Sequence, residues 1–167
     1  MNRLGIVSAN IISGHMNTDE ASKKMWEFEH REEGRASKSA LWALYSNVST
    51  WPEWDKGIEW IRLDGEFKEG TSGTIKPVGQ GELPFRLTMV AVDGGCSDET
   101  EIPGAGVTIG FKHTLESVGD GRCRITHHVS IFGPGSGALA PEIGPEMAKG
   151  IPETMQSLLR MAQARSG

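Results

Sequence analysis

The sequence has little cysteine: only Cys96 and Cys123, and no Cys/His spacing that suits a structural metal site. Two cysteines cannot form the disulfide framework by which small secreted domains are stabilised. We therefore predict a protein of a reducing, cytoplasmic compartment that uses no cofactor and binds no metal.

Excess positive charge is also missing, because 17 basic residues face 22 acidic ones and the net charge is -5. Binding to a nucleic-acid backbone requires a dense basic patch that releases phosphate counterions. The charge balance thus argues against nucleic-acid partners and against docking on an anionic membrane.

No apolar run is long enough to span a bilayer, and the longest, residues 4–12, is interrupted by small and polar residues. We predict no stable membrane insertion. Residues 1–22 are predicted to be a flexible leader, with a signal peptide as the alternative and Met16 as a second candidate start. Since 167 residues are too few for two ordinary cores, residues 23–167 are predicted to form a single domain.

The sequence is instead rich in turn residues, with 22 glycines and eight prolines, which indicates a β-rich fold. In residues 24–31, Trp26, Phe28 and His30 alternate with charged residues, the pattern of a strand with one wet face. Six more strands are predicted at residues 58–64, 72–78, 83–92, 96–102, 106–118 and 122–132. The short connections between these six favour an antiparallel meander.

Three helices are predicted. Ser37 is a candidate N-cap for a short amphipathic helix, and Pro52 ends that helix or begins a second short one. After the glycines of residues 133–137, an apolar stripe at helical spacing predicts a long C-terminal helix, interrupted or bent near residues 150–152. The predicted fold class is α+β: a curved seven-stranded antiparallel sheet with two short helices and a long helix across its concave face, the helix-grip fold.

Several motifs in this order resemble the polyketide cyclase/dehydrase-like branch of the START-like superfamily (SRPBCC), which includes the birch-pollen allergen. The motifs are ALYSNVSTWPEWD (43–55), LDG (63–65), GTSGTIKP (70–77), PFRLT (84–88), FKH (111–113), THH (126–128) and GP (144–145). The resemblance implies a long hydrophobic tunnel between sheet and helix that holds a lipid, sterol or polyketide. Members include carriers, cyclases, dehydratases and chaperone activators, so the fold does not specify the function.

Strand alternation predicts which side chains face the tunnel. The predicted ligand-binding wall consists of Trp26, Phe28, Trp51, Trp54, Phe85, Met89, Phe111, His113, His127, Met147, Ile151 and Met155. Two interpretations of Trp51 and Trp54 stay open: a gate at one end of the tunnel, or a plug between helix and sheet.

Candidate catalytic residues are His113, His127 and Asp98, each on a predicted inward face. Histidine titrates near neutral pH, and a buried carboxylate can act as a base. His30 shares the inner face of the first strand, so the three histidines could converge on a metal site or an acid–base pair. The alternative is that each imidazole is a hydrogen-bonded polar group of the cavity wall or its rim. Asp98 lies near a turn and would in that case be exposed to solvent. Arg86 is predicted to face the convex side, where it is solvated or pairs with an acid, and binding of a ligand carboxylate is the alternative.

The leading hypothesis is that the protein binds a small hydrophobic or amphipathic ligand, such as a lipid, polyketide or aromatic compound, as a monomer or homodimer. The alternative is a polyketide cyclase or dehydratase that uses the cavity histidines and Asp98 as acid–base groups. A chaperone-interaction module would instead need an exposed apolar patch.

Overall fold

The computed structural model describes residues 24–166, with side chains from Trp26 onward; the predicted leader, residues 1–22, lies outside the described residues. In chain order the elements are β1 (Lys24–Arg35), α1 (Lys38–Tyr45), a 3-10 turn (Val48–Thr50), α2 (Trp51–Trp54), β2 (Ile58–Leu63), β3 (Ser72–Pro77), β4 (Leu83–Ala91), β5 (Gly95–Ile102), β6 (Val107–Gly119), β7 (Arg122–Phe132) and α3 (Ser136–Ser166). The six later strands agree with the predicted ranges to within one residue at each end. The first strand runs four residues further than predicted, to Arg35.

All seven strands form one antiparallel sheet in the order β1-β7-β6-β5-β4-β3-β2. Strands β2 to β7 form the predicted meander, and β1 pairs with β7 along its full length. The helix α1 begins as predicted, because the Ser37 hydroxyl accepts a hydrogen bond from the Ala40 amide at 3.1 Å. These observations confirm the predicted fold class.

The long helix α3 packs against β1, β7 and α1 through a buried stripe that includes Ile143, Met147, Met155 and Leu158. The helix α3 was predicted to be interrupted or bent near residues 150–152. It is continuous there, although it contains Pro141, Pro145 and Pro152, so the interruption is wrong and a bend stays a prediction. A proline removes one hydrogen bond to the carbonyl four residues earlier. Here those carbonyls belong to exposed or half-buried positions, 137, 141 and 148, where water can bind them.

The connection between β7 and α3 is held tightly against the loop between β5 and β6. The Gly135 amide donates to the Gly106 carbonyl of that loop at 2.9 Å, and within the connection the Ser136 hydroxyl donates to the Gly133 carbonyl at 2.6 Å. A Cβ on Gly135 would lie 1.9 Å from the Ala105 carbonyl oxygen. The glycine at this position is therefore required for close approach of two backbone segments.

A second glycine, Gly144, lets α3 approach β1, because a Cβ there would lie 2.5 Å from the Trp26 ring. Alanine normally favours a helix over glycine by about 1 kcal/mol. We nevertheless expect Gly144→Ala to lower the free energy of unfolding by about 1–3 kcal/mol through overpacking against the rigid indole. Urea denaturation measures this, with Gly81→Ala as the control, since an added methyl there meets nothing within 4 Å. An unfolding free energy that rises in Gly144→Ala would contradict the expected clash.

Candidate functional site

A pocket of about 160 Å³ lies between α3, the concave face of the sheet and the loop that joins α2 to β2. Its inner wall is formed by Trp54, Phe111, His113, His127, Met147 and Ile151. Its mouth includes the exposed side chains of Lys56, Glu153 and Arg160. The pocket is therefore apolar at its sides, carries two imidazoles inside and is charged where it meets solvent.

The six inner-wall residues all belong to the ligand-binding wall predicted from the sequence. They come from α2, β6, β7 and α3, elements far apart in the chain, and strand alternation turns the β6 and β7 side chains inward. Contact of these residues with a ligand stays a prediction.

The remaining predicted wall residues do not line this pocket. Trp51, Phe85 and Met155 are almost completely buried in the packed core. The Trp51 indole N–H donates to the Tyr45 carbonyl at 3.0 Å, and its ring meets Phe85 edge-on at 5.9 Å. Trp51 is thus a plug, whereas Trp54 alone of the pair faces the pocket.

Trp26 and Phe28 lie on β1 and are half-buried beside α3, with their rings stacked at 6.3 Å. Both side chains lie on the inward side of β1, as strand alternation predicts, but α3 covers this part of the sheet. Neither residue lines the pocket described above, and contact of either one with a ligand stays a prediction.

Met89 does not lie on the face of β4 on which it was predicted. The pairing of β4 with β5 has an irregularity between Leu87 and Met89, which shifts the alternation of side chains by one position. As a result Val90 packs against the core, and Met89 is only half-buried and is not among the pocket residues.

Asp98 is buried, with 1 % of its surface exposed, so the prediction that its nearness to a turn leaves it in solvent is wrong. Strand β5 is paired on both sides, by β4 and β6, and its inward face is covered from Cys96 onward. The Asp98 Oδ2 lies 3.8 Å from Nδ1 of His113, and the Cys96 sulfur lies 3.8 Å from the same nitrogen. The structure thus brings Asp98 and His113 together.

His127 lies beside His113, with the two rings in edge contact at 4.5 Å. Its Nε2 forms a hydrogen bond of 2.8 Å with the hydroxyl of Tyr45. Burial, with a smaller contribution from the nearby Cys96, raises the pKa of Tyr45 well above its ordinary value, so the phenol is neutral at physiological pH.

Tyr45 was missed as a site residue by sequence reasoning, although a signal was present. It is the only tyrosine of the chain and lies on the apolar face of α1. A buried tyrosine hydroxyl needs a polar partner, and that requirement points to a polar group deep in the core.

The other polar candidates lie away from the pocket. His30 does not join the other two, because its Nε2 bonds to Glu32 on the same strand at 2.9 Å, an interaction that lowers the pKa of Glu32. Arg86 pairs with Glu99 at 3.7 Å on the convex side, as predicted. In residues 26–166 no three His, Cys, Asp or Glu side chains are placed to hold a metal ion.

No protein-family profile matches the sequence, and no curated protein matches it either. Solved structures do match. A hypothetical protein from Helicobacter pylori has a TM-score of 0.70 at 14% identity, covering 93% of this chain and 99% of its own. Norcoclaurine synthase from Thalictrum flavum, in complex with dopamine and hydroxybenzaldehyde, has a TM-score of 0.65 at 16% identity, covering 96% and 99%.

The allergen Ara h 8.0201 has a TM-score of 0.63 at 15% identity and covers 84% of this chain and 97% of its own. The chain has the START-like helix-grip fold. Identities this low establish the fold alone and leave any ligand and any reaction to be argued from the pocket. None of the helices within residues 24–166 is long and apolar enough to cross a membrane.

Proposed function

We propose that residues 23–167 act as one domain that binds a small amphipathic molecule of about one aromatic ring in the pocket beneath α3. The observation that carries this proposal is the pocket's size together with its lining: about 160 Å³, with Trp54, Phe111, Met147 and Ile151 as apolar walls. A dry protein cavity of roughly 150 Å³ is large enough for benzene. Lipids, sterols and multi-ring polyketides would need the pocket to enlarge.

Burial of the ring against these walls supplies the driving force, at about 25 cal/mol per Å² of apolar area removed from water. The two imidazoles offer hydrogen bonds to a polar end of the ligand inside the pocket. A few polar groups on an otherwise apolar wall are the usual means by which pockets orient small ligands.

A structural neighbour supports the size of the ligand. Norcoclaurine synthase was solved with dopamine and hydroxybenzaldehyde, each of which contains one aromatic ring. The shared fold makes a ligand of this size a reasonable first probe for the present pocket.

We expect para-hydroxybenzaldehyde to bind, and Ile151→Trp to abolish that binding, because the indole would occupy much of the pocket. Saturation-transfer NMR on the full chain measures both. Val92→Trp is the matched control, since it adds a similar side chain at a position that is 76% exposed and outside the pocket. Equal binding by the two variants would show that the probe binds elsewhere, and no binding to the unmodified protein would count against the proposed ligand class.

A second candidate function is an acid–base enzyme of the cyclase or dehydratase type, in which a cavity histidine moves a proton on the bound molecule. The observation that favours it is the buried Asp98 carboxylate 3.8 Å from His113, since a histidine oriented by a carboxylate is a common general base. Loss of turnover in His113→Ala and His127→Ala, with binding retained, would separate catalysis from carriage.

A further inference from the structure

One row of α3 side chains changes from apolar to polar to positively charged as it leaves the pocket. Ile151, Thr154, Ser157 and Arg160 follow one another at intervals of three residues, and all four line the pocket. Residues three apart are neighbours on a helix surface. Ile151 is buried, Thr154 and Ser157 are half-buried, and Arg160 is exposed. The pocket therefore becomes more polar from its inner end to its mouth along a single helix.

The two hydroxyls of this row are available to a ligand. Neither the Thr154 nor the Ser157 hydroxyl forms a hydrogen bond with another group in residues 26–166, although both residues line the pocket. On the same helix, by contrast, the Ser166 hydroxyl donates to the Ala162 carbonyl at 2.7 Å. A hydroxyl that lines a pocket can donate a hydrogen bond to a ligand oxygen.

Two cations at the mouth have no acidic partner in the part of the chain that the structure describes. Arg165, the next basic residue of α3, pairs with Glu53 at 3.7 Å, but Arg160 forms no such ion pair. Lys56, in the loop between α2 and β2, forms none either. Helical side chains lean toward the N-terminus of their helix, so the Arg160 side chain extends back over the turn that contains Ser157. Both cations can therefore approach a group that emerges from the pocket.

Two acidic residues also line the pocket, and they differ in their surroundings. The Asp55 carboxylate accepts a hydrogen bond from the Gly57 amide at 2.9 Å, within the loop between α2 and β2. Glu153 is exposed at the mouth. An anion at the mouth would be attracted by two cations and two hydroxyls, and Glu153 is the acid that opposes it most directly.

We propose that the ligand is an aromatic carboxylic acid, whose ring occupies the apolar part of the pocket and whose carboxylate binds at the mouth to Arg160 and Lys56. This inference deepens the proposed function and rests on it. The Thr154 and Ser157 hydroxyls donate further hydrogen bonds to the carboxylate. Hydrogen bonds between charged groups are about twice as strong as neutral ones, and arginine offers a carboxylate two parallel donors. The ring supplies most of the affinity, and the carboxylate fixes the orientation.

The test compares 3-(4-hydroxyphenyl)propanoate with its primary amide, which has the same ring, chain and shape without the charge. Titrations of the full chain, followed by NMR chemical shifts, give both dissociation constants. We expect the acid to bind about fivefold to tenfold more tightly than the amide. This preference should shrink as sodium chloride is added, because salt screens the two exposed cations.

Substitutions at the mouth change this preference without touching the apolar wall. With Arg160→Gln and Lys56→Gln combined, we expect the acid to bind no more tightly than the amide, while binding of the amide is unchanged. Glu153→Gln should have the opposite effect and increase the preference by about twofold to threefold. The matched control combines Arg35→Gln and Lys38→Gln, which change the net charge equally at two exposed positions outside the pocket. The control is expected to retain the preference of the unmodified protein.

Three results would overturn this inference alone. The first is an acid that binds the unmodified protein no more tightly than the amide, a comparison that needs no variant. The second is a preference that persists when Arg160 and Lys56 are both replaced. The third is tighter binding of the corresponding amine, 4-(3-aminopropyl)phenol, which would assign the selection of charge to Glu153 and Asp55.

Failure of the proposed function has a different signature. If the acid, the amide and para-hydroxybenzaldehyde all fail to bind, the proposed function falls together with this inference. If the amide and para-hydroxybenzaldehyde bind and the acid has no advantage, the proposed function stands and only the carboxylate site is wrong.

Discussion

Above pH 10 the protein is expected to lose stability steadily, because its single tyrosine holds its proton to a higher pH in the folded chain than in the unfolded chain. Burial raises the pKa of Tyr45 above its ordinary value of 10.0, so the unfolded chain releases this proton at a pH where the folded chain still holds it. The unfolded state then binds fewer protons, and the free energy of unfolding falls as pH rises. Below pH 10 Tyr45 is protonated in both states and does not change the free energy of unfolding. Above pH 10 the free energy of unfolding falls by about 1.4 kcal/mol per pH unit until the raised pKa is reached.

The experiment is simple because Tyr45 is the only tyrosine in the chain. Tyrosinate absorbance should stay flat through pH 10 and rise only with unfolding, measured in parallel by circular dichroism. In Tyr45→Phe the free energy of unfolding should fall less steeply above pH 10, because one fewer proton is released on unfolding. The variant starts from a lower stability, since the hydrogen bond between Tyr45 and Nε2 of His127 is lost. Reversible ionisation of Tyr45 in the folded protein near pH 10 would contradict the burial on which this expectation depends.

Replacement of Trp51 by alanine is expected to lower the free energy of unfolding by about 3–5 kcal/mol, a large part of the stability of an ordinary domain. The side chain is 1 % exposed and packs between Phe85, Trp54 and His113. Its removal would leave a cavity at the junction of α2 and the sheet that neighbouring rings cannot fill.

Trp42→Ala is the matched control for this prediction. The Trp42 side chain is half-buried and meets Phe67 edge-on at 6.0 Å, so its loss should cost clearly less. Chemical denaturation of both variants gives the comparison. If Trp51→Ala proved no more destabilising than Trp42→Ala, the interpretation of Trp51 as a gate, open at the sequence level, would return.

The outline of the fold was predictable because strands and helices leave local patterns. Alternation along residues 107–119 and 122–132 correctly turned His113 and His127 toward the interior, and the apolar stripe of α3 placed Met147 and Ile151 on its inner side. The same local rule failed at Met89, because the irregularity between β4 and β5 changes the face of every following residue.

Other errors arose because a local sequence pattern does not show which neighbouring strands or helices bury a residue. Asp98 is near a turn, yet strands on both sides and the core bury it. Trp26 and Phe28 lie on the inward side of β1, yet α3 covers them. The pairing of Tyr45 with His127 joins residues 82 positions apart, and no spacing rule predicts it.

By itself the sequence determined the order of the elements and the face on which most side chains lie, because backbone periodicity and turn residues act over a few positions. The resemblance to START-like proteins came from short motifs in a characteristic order. Only the tertiary structure decided that the expected tunnel is a pocket of about 160 Å³, and which imidazole meets Asp98 and which meets Tyr45. The physical reason is that the size of a cavity is the space left when side chains from distant elements have packed. Hydrogen-bond partners within it depend on the same long-range packing.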